Sequence, residues 1–264
     1  MAFAKYTCFD LTLTGGIARL HMNRPDLLNR FDAPLHTEFA KALGELALTL
    51  DVAVLLISAE GRAFSAGGDM EMMREGNASK PIRDRLSQEA MVIFDTLVAL
   101  PFPVICAVQG AAVGLGASIV ALSDIAVVWS KAKISDPHVV LGLVAGDGGI
   151  IGWSQAIGIN RAKRYLLTGE PVTGEVAYQL GLVSDVVETP EEVRPAAEAI
   201  AAKIAAMPMG GVRGTKRAFA QLTRQFTGAV FELGLAYEME CMAGQEMMTE
   251  LDKLAKKAAA KPSK

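Results

Sequence analysis

A histidine and an aspartate stand nine residues apart in the stretch PHVVLGLVAGDGG, residues 137–149. His138 is one of three histidines in the chain, and Asp147 is set among glycines. A histidine titrates near neutral pH, so it can take a proton from water or from a carbon atom. A carboxylate within hydrogen-bonding reach would fix its tautomer and raise the pKa of the imidazolium. The pair is therefore a candidate for acid–base chemistry, although Asp147 could instead cap the helix predicted at GGIIGW.

Two glycine-rich segments, EGRAFSAGGDM and QGAAVGLGAS, each lie between a predicted buried strand and a predicted helix. The first backbone N–H groups of a helix have no partner within it, and the helix dipole favours negative charge there. Two such donors on one carbonyl oxygen would form an oxyanion hole, in which losing one donor costs about 3 to 4 kcal/mol of transition-state stabilisation. The alternative is structural, because glycines also permit tight turns between strands and helices.

The sequence lacks the motifs of several other kinds of binding and catalytic site. Gly110, Gly114 and Gly116 do not make G-x-G-x-x-G, and no G-x-x-x-x-G-K-[ST] is present. The surroundings of Ser118 lack the second glycine of a nucleophile elbow. The histidines have no further ligands at zinc spacing, so no metal site is predicted. We assign no role to the other two histidines, which lie in a predicted strand and on an amphipathic helix.

Composition narrows the range of partners. The 264 residues carry a net charge of -3 with no basic stripe, which argues against nucleic-acid binding. Three scattered cysteines and an N-terminus unlike a secretory signal predict a cytoplasmic protein. The apolar run 104–122 is about long enough to span a bilayer. Its glycines, Gln109 and Ser118 favour a buried strand, turn and helix instead, so no membrane contact is expected.

The elements that would position these residues alternate between strands and helices. Alternating polar and apolar residues on either side of Gly15 and Gly16 predict a β-hairpin. Asp32 is placed to cap the helix that follows, and 52–58 reads as a buried strand. The second half is predicted to be mainly helical and ends in a long amphipathic run over 212–248. We expect it to pack on the α/β core or on a neighbouring subunit.

Four segments resemble the crotonase (enoyl-CoA hydratase/isomerase) superfamily in type and order: MNRPDLLNRFD, RAFSAGGDM, AVQGAAVGLGASIVALSDIAV and INRAKRYLLTGEPVTGEVAYQLGLVSDVV. The resemblance implies an α/β fold with a spiral core of β-β-α units over 1–200. It also implies a helical C-terminal trimerisation region with a flexible tail over 201–264. The expected protein is a homotrimer or homohexamer that binds an acyl-CoA thioester or a small carbonyl substrate. Coenzyme A would be part of the substrate, and no other cofactor is expected.

The resemblance also implies roles within the two glycine loops. The N–H groups of Gly68 and Leu115 would hold the thioester oxygen, with Leu115 standing where the family usually has glycine. Leucine still offers its N–H, and its side chain would help shape the acyl pocket. The substrate-binding residues would further include the backbone of the first loop, at the adenine end of coenzyme A, and one glycine of the second: Ala66, Gly67, Asp69 and Gly114. A lysine that helps bind the coenzyme A phosphate in the family is Leu27 here, and Arg24 or Arg30 would have to substitute for it.

The expected catalytic positions depart from those of a typical hydratase. The two catalytic glutamates of a typical hydratase correspond to Ser118 and His138 in this chain. The usual two-carboxylate mechanism therefore cannot operate unchanged. The hypothesis is that His138, oriented by Asp147, moves the proton or activates the water. DPHVVLGLVAGDGG also resembles the β-diketone hydrolases of the superfamily, whose pattern adds an acidic residue in the last long helix. Glu238 fits that position, and the alternative interpretation is a solvated or intersubunit helix residue.

Three reactions therefore stay open, and hydration of a 2-enoyl-CoA is the leading one. The second is hydrolytic cleavage of a carbon–carbon bond in a β-diketone or β-keto acyl-CoA. The third is double-bond isomerisation through Asp147. A chain without both usual glutamates could also be a non-catalytic protein that binds acyl-CoA or serves in assembly.

Overall fold

The computed structural model of the chain describes residues 3–259. The strands are β1 (Phe9–Thr14), β2 (Ile17–Met22), β3 (Val54–Ala59), β4 (Ala63–Ser65), β5 (Val104–Val108), β6 (Ala111–Val113), β7 (Ile125–Trp129), β8 (Lys133–Ser135), β9 (Val172–Thr173) and β10 (Asp185–Val187). The α-helices are α1 (Ala33–Ala47), α2 (Met70–Ala78), α3 (Lys80–Ala99), α4 (Leu115–Leu122), α5 (Gly149–Ile157), α6 (Ile159–Leu166), α7 (Gly174–Leu180), α8 (Pro190–Ala205), α9 (Met209–Thr227), α10 (Val230–Met242) and α11 (Gln245–Ala259). Short 3-10 helices span Pro25–Leu27 and His138–Leu141.

The strands form two sheets that the chain visits alternately. One sheet has the order β1-β2-β3-β5-β7-β10 and is parallel apart from the β1–β2 hairpin. The other has the order β4-β6-β8-β9 and is parallel apart from the β8–β9 pair. Three times a longer strand of the first sheet is followed by a short strand of the second and then by helix, as in β5, β6 and α4. This repetition confirms the predicted spiral of β-β-α units.

Helices cover both faces of the larger sheet, which explains the almost continuously apolar sequences of β3, β5 and β7. A parallel sheet between helices has no solvent-facing side and therefore no polar alternation. The helix α1 packs one apolar side into the main core, and α8 places Val193, Ala197 and Ala201 on the opposite face. All five residues of β5 are buried as a result. This packing holds the carboxyl ends of the strands, and the loops that follow them, in fixed positions.

Several local predictions are confirmed. The hairpin turns at Gly15 and Gly16, which have φ values of 61° and 77° that favour glycine. Asp32 caps α1 by accepting a hydrogen bond from the N–H of Leu35 at 3.1 Å. The apolar run 104–122 forms β5, β6 and α4. Among the described residues, no helix combines the length and the apolar character needed to cross a membrane.

The C-terminal helices differ from the prediction. The amphipathic run 212–248 is divided among α9, α10 and α11, with Gly228 at a φ of 44° after the first of them. A left-handed glycine ends a helix and turns the chain. The helix α11 continues to Ala259, so the start of the predicted flexible tail is helical, while residues 260–264 lie outside the described part. The division at residue 200 falls inside α8 and stays a prediction, as does the trimerisation role of 201–264.

Candidate active site

Both glycine loops and the ionisable residues from three other elements meet at one small cavity. Its volume is about 50 Å³. Its lining includes Gly68 and Leu115 from the loops together with His138, Asp147 and Glu238. The remaining wall is mostly apolar and includes Phe31, Met72, Met73, Leu86, Ala90, Leu143, Leu235, Met239 and Met242. The structure therefore brings together the five residues that the sequence proposed as catalytic.

The two loops touch each other at their glycines. The first loop follows β4 and turns at Gly67 with a φ of 85°, and the second follows β6 and turns at Gly114 with a φ of 53°. A side chain at Gly67 would come within 2.9 Å of the carbonyl oxygen of Val113. Within residues 3–259, the N–H groups of Gly68 and Leu115 have no protein acceptor. Two unpaired donors thus lie on adjoining loops at the edge of the cavity.

Three backbone hydrogen bonds tie the first loop to the segment before α1. The N–H of Ala66 donates to the carbonyl of Leu28 at 3.0 Å. The N–H of Phe31 donates to the carbonyl of Gly67 at 2.8 Å, and the N–H of Asp69 donates to the carbonyl of Phe31 at 3.0 Å. These bonds fix the loop and leave its central N–H for a ligand. That the loop backbone contacts the adenine of coenzyme A stays a prediction.

The two arginines proposed in place of Leu27 differ in what they contact. Arg24 forms a bidentate ion pair with Asp32, and the side chain of Arg24 is largely buried. Arg30 contacts Asp69 through Nε at 2.8 Å, and its side chain is 43% exposed. The carboxylate of Asp69 also caps α2. Arg30 is therefore the better placed of the two arginines to reach a phosphate in solvent.

His138 stands between carboxyl groups on opposite sides of its ring. Its Nδ1 is hydrogen-bonded to Oδ1 of Asp136. Its Nε2 lies 3.7 Å from Oδ2 of Asp147 and 3.8 Å from Oε1 of Glu238. The prediction that Asp147 fixes the tautomer of His138 is wrong. Asp136 makes the hydrogen bond to Nδ1, and Asp147 faces the other ring nitrogen, Nε2.

Asp147 lies both beside His138 and next to the start of α5, so the two roles that the sequence left open for it stay predictions. The hydroxyl of Ser118 donates to its Oδ1 at 2.7 Å, and both side chains are buried. The backbone N–H of Gly149, at the start of α5, faces this carboxylate and opposes the rise in its pKa. The aspartate therefore contacts the start of the helix and still presents its second oxygen to His138. Ser118, which replaces a family glutamate, contributes a hydrogen bond to the carboxylate in the cavity.

Glu238 reaches the cavity from α10 and is 6% exposed. The alternative of a solvated helix residue is therefore wrong. Its Oε2 is fully buried and has no hydrogen-bond partner in the part of the chain described. A buried carboxylate without hydrogen bonds is costly, because nothing replaces the water it has lost.

Burial and mutual repulsion set the charges of this cluster. Burial alone would lower the pKa of His138, but the charges of Asp136 and Asp147 and the hydrogen bond to Asp136 outweigh it and hold this pKa well above its usual value. Burial raises the pKa of Asp147, and the charge of His138 offsets part of that increase. Burial raises the pKa of Glu238 to about 8, although the positive charge of His138 opposes it. At neutral pH the site therefore contains an imidazolium and a protonated Glu238.

The same cluster is where a metal ion would have to bind. Asp136, His138 and Asp147 each place a donor atom within 4.8 Å of the others. The raised pKa of His138, however, leaves its ring protonated, and an imidazolium has no lone pair to offer a metal. The arrangement fits a hydrogen-bonded acid–base cluster better than a metal centre.

The sequence did not identify Asp136. Only its position two residues before His138, in DPH, could have pointed to it, and the sequence does not show which way such a neighbour turns. His36 also lines the cavity and is paired with Glu89, its Nδ1 2.7 Å from Oε2. His36 still has no assigned role.

Known proteins match the chain over nearly its whole length. The family model described as enoyl-CoA hydratase/isomerase matches residues 12–251. A probable enoyl-CoA hydratase, echA8, of Mycobacterium leprae is 31% identical over 233 residues, which are 87% of each chain. A trans-2-decenoyl-[acyl-carrier-protein] isomerase of Streptococcus mutans is 33% identical over 67% of this chain and 68% of the relative. The crystal structure of an enoyl-CoA hydratase/isomerase from Mycobacterium paratuberculosis has a TM-score of 0.91 and 33% identity, and the match covers 95% of this chain and 100% of that one.

Proposed function

The chain belongs to the enoyl-CoA hydratase/isomerase family, and from that premise we propose that it adds water to the double bond of a 2-enoyl-CoA. The observation that carries the proposal is the cavity itself. It joins two unpaired backbone donors, at Gly68 and Leu115, to an acid–base cluster whose members have different charge states. Two titratable groups whose pKa values are separated by their surroundings supply an acid and a base.

The proposed step uses one carboxylate as the base and one as the acid. Asp147 takes a proton from water while the water oxygen bonds to C3 of the substrate. The electron pair of the double bond moves toward the thioester oxygen, where the N–H groups of Gly68 and Leu115 stabilise the enolate. Glu238 then delivers its proton to C2. His138, with Nε2 close to both carboxyl groups, passes the proton from Asp147 back to Glu238.

The apolar wall of the cavity favours a substrate whose acyl group is uncharged. It is formed largely by methionines and leucines, and its only histidine besides His138 is already paired with a glutamate. A charged acyl end would lose its hydration there without gaining a counter-ion. A volume of about 50 Å³ requires the wall to move for an acyl chain, and methionine side chains adapt readily to such a change.

Double-bond isomerisation is the second candidate, and the Streptococcus mutans relative named as an isomerase favours it. A shift of the double bond needs a proton taken from one carbon and returned to another, with no water consumed. Asp147 and Glu238, both near Nε2 of His138, offer a base and an acid for that transfer.

The test is to incubate the protein with crotonyl-CoA and, separately, with a cyclic β-diketone in oxygen-18 water, and to identify products by mass spectrometry. One labelled oxygen in 3-hydroxybutyryl-CoA is expected. A shifted double bond without label would favour the isomerase. Label in a new carboxylate from the diketone, without affinity for coenzyme A, would overturn the proposal in favour of carbon–carbon hydrolysis.

Two variants test the assigned roles. His138→Ala and Asp147→Asn are each expected to lower kcat by about 100-fold or more, because each removes part of the proton path. Substrate affinity, measured by calorimetry, should change by less than about two-fold. His21→Ala is the matched control, since His21 lies outside the cavity and contacts Ser58. Acyl-CoA binding with no turnover to lose would instead indicate a non-catalytic protein.

A further inference from the structure

Asp136 is the one carboxylate of the cluster that the proposed reaction does not use. It is buried, it does not line the cavity, and it lies on the side of His138 away from Asp147 and Glu238. We propose that Asp136 is a positioning residue that holds the Nδ1–H of the His138 imidazolium and so directs its Nε2–H at the two cavity carboxyl groups. Its effect on turnover rests on the proposed function, whereas its effect on the ring of His138 does not.

The geometry around Oδ1 of Asp136 supports this role. That oxygen accepts from the Nδ1–H of His138 and lies 3.4 Å from the backbone nitrogen of the same residue. Contacts to both backbone and ring leave the imidazole little freedom to rotate or flip. The side chain of Asp136 is completely covered, so water does not compete for either contact.

The second carboxylate oxygen of Asp136 explains why the last residue of GDGG, Gly149, is a glycine. Oδ2 has no hydrogen-bond partner among the described residues and lies against the start of α5. A side chain at Gly149 would come within 2.1 Å of Oδ2, so only glycine leaves room for the carboxylate there. The positive end of the α5 dipole favours a negative charge at this position. The first turn of α5 is thus shaped to leave room for the carboxylate of Asp136.

No other carboxylate of the described cluster can take over this role. Asp147 and Glu238 both face Nε2, at 3.7 Å and 3.8 Å, and one oxygen of Asp147 is already bonded to Ser118. Without Asp136, nothing described on the Nδ1 side would accept its proton. The ring could then lose its charge or turn, and a neutral ring cannot hold a proton on Nδ1 and on Nε2 at the same time.

The experiment compares Asp136→Asn with the unchanged protein by nitrogen-15 NMR of the histidine rings, with the His138 signals assigned from their loss in His138→Gln. Asparagine keeps the size of the side chain and removes its charge. We expect the pH midpoint of His138 to fall by about one pH unit or more. We also expect kcat for enoyl-CoA to fall by about 10- to 100-fold with KM nearly unchanged, because the substrate does not contact Asp136.

A second variant and a control make the outcome decisive. Gly149→Ala keeps the carboxylate of Asp136 but forces it away from the ring, so it should shift the His138 midpoint in the same direction. Glu60→Gln is the control, because it removes a carboxylate 3.4 Å from another histidine, His21, outside the cavity. An unchanged His138 midpoint in a folded Asp136→Asn or Gly149→Ala protein would overturn the proposal. Since this midpoint is measured without substrate, it decides the role of Asp136 even if enoyl-CoA is not turned over.

Discussion

At the scale of single residues, the charge state of Glu238 depends strongly on its surroundings. Its pKa is raised from 4.5 to about 8, chiefly by burial. Between those two pH values the folded protein holds a proton that the unfolded chain has released, so the free energy of unfolding must fall as pH rises through this range. Glu238→Gln removes this titration and keeps the shape of the side chain.

We therefore expect the melting temperature of the unchanged protein to fall more between pH 5 and pH 9 than that of Glu238→Gln. Circular dichroism melts across that range are the measurement. Glu240→Gln, an exposed position on the same helix, serves as the control and should follow the unchanged protein. Parallel pH curves for the unchanged protein and Glu238→Gln would contradict the assigned protonation state.

The sequence predicted which residues line this site, but it did not predict the contacts between them. His138, Asp147 and Glu238 were identified because of their chemistry and their positions in a family pattern. The hydrogen bond between Ser118 and Asp147 joins residues 29 positions apart, and the packing of α4 on α5 creates it. Asp136 escaped notice because the turn that directs its side chain at His138 has no signature in the sequence. Residue types and their pattern thus indicate candidate reacting groups, whereas folding decides which group faces which nitrogen of His138.

At the scale of elements, the position of α10 determines whether Glu238 reaches the cavity. A side chain at Gly146 would come within 2.5 Å of the carbonyl oxygen of Gly234 on α10 and within 2.8 Å of Oε2 of Glu238. The loop after the 3-10 helix His138–Leu141 and this helix therefore approach each other closely enough to leave no room for a side chain at position 146. Glycine at position 146 permits that approach because it has no side chain.

Gly146→Ala is expected to displace α10 and lower kcat, and to reduce the free energy of unfolding by about 1 to 3 kcal/mol, as overpacking usually does. Urea unfolding and initial rates provide the two measurements. The matched control is Gly214→Ala in α9, where a side chain would meet nothing within 4 Å. That control should gain about 0.5 to 1 kcal/mol, because alanine is the better helix former. Equal effects of the two substitutions would refute the proposed role of this close approach.

The elements themselves were largely predictable, but their arrangement was not. Strong local signals, such as the glycine hairpin before Ile17 and the cap at Asp32, fixed the first strands and helix correctly. The breaks between α9, α10 and α11 were missed, because the amphipathic pattern continues through them. Nothing in the local pattern indicates that α10 returns to the glycine loops, since that contact depends on the whole fold.

At the scale of the whole molecule, the C-terminal helices expose an unusual amount of apolar surface. Phe219 and Leu222 of α9 are 60% and 59% exposed, and Leu233 and Tyr237 of α10 are 54% and 51% exposed. A groove of about 770 Å³ runs beside α9. Clustered apolar surface of this kind marks an interface in soluble proteins. It supports the predicted homotrimer or homohexamer, with a second copy of the chain covering this surface.

We expect light scattering to give a mass of three or six times 28.0 kDa for the unchanged protein, and a monomer for the double variant Phe219→Glu, Leu222→Glu, because two buried charges would oppose association. Leu167→Glu, at an exposed position after α6, is the control and should stay assembled. A monomeric unchanged protein would contradict the prediction. Since α10 exposes Leu233 and Tyr237 while it buries Glu238, releasing its outer surface should also loosen the cavity. The dissociated double variant is therefore expected to have a lower kcat as well as a lower mass in light scattering.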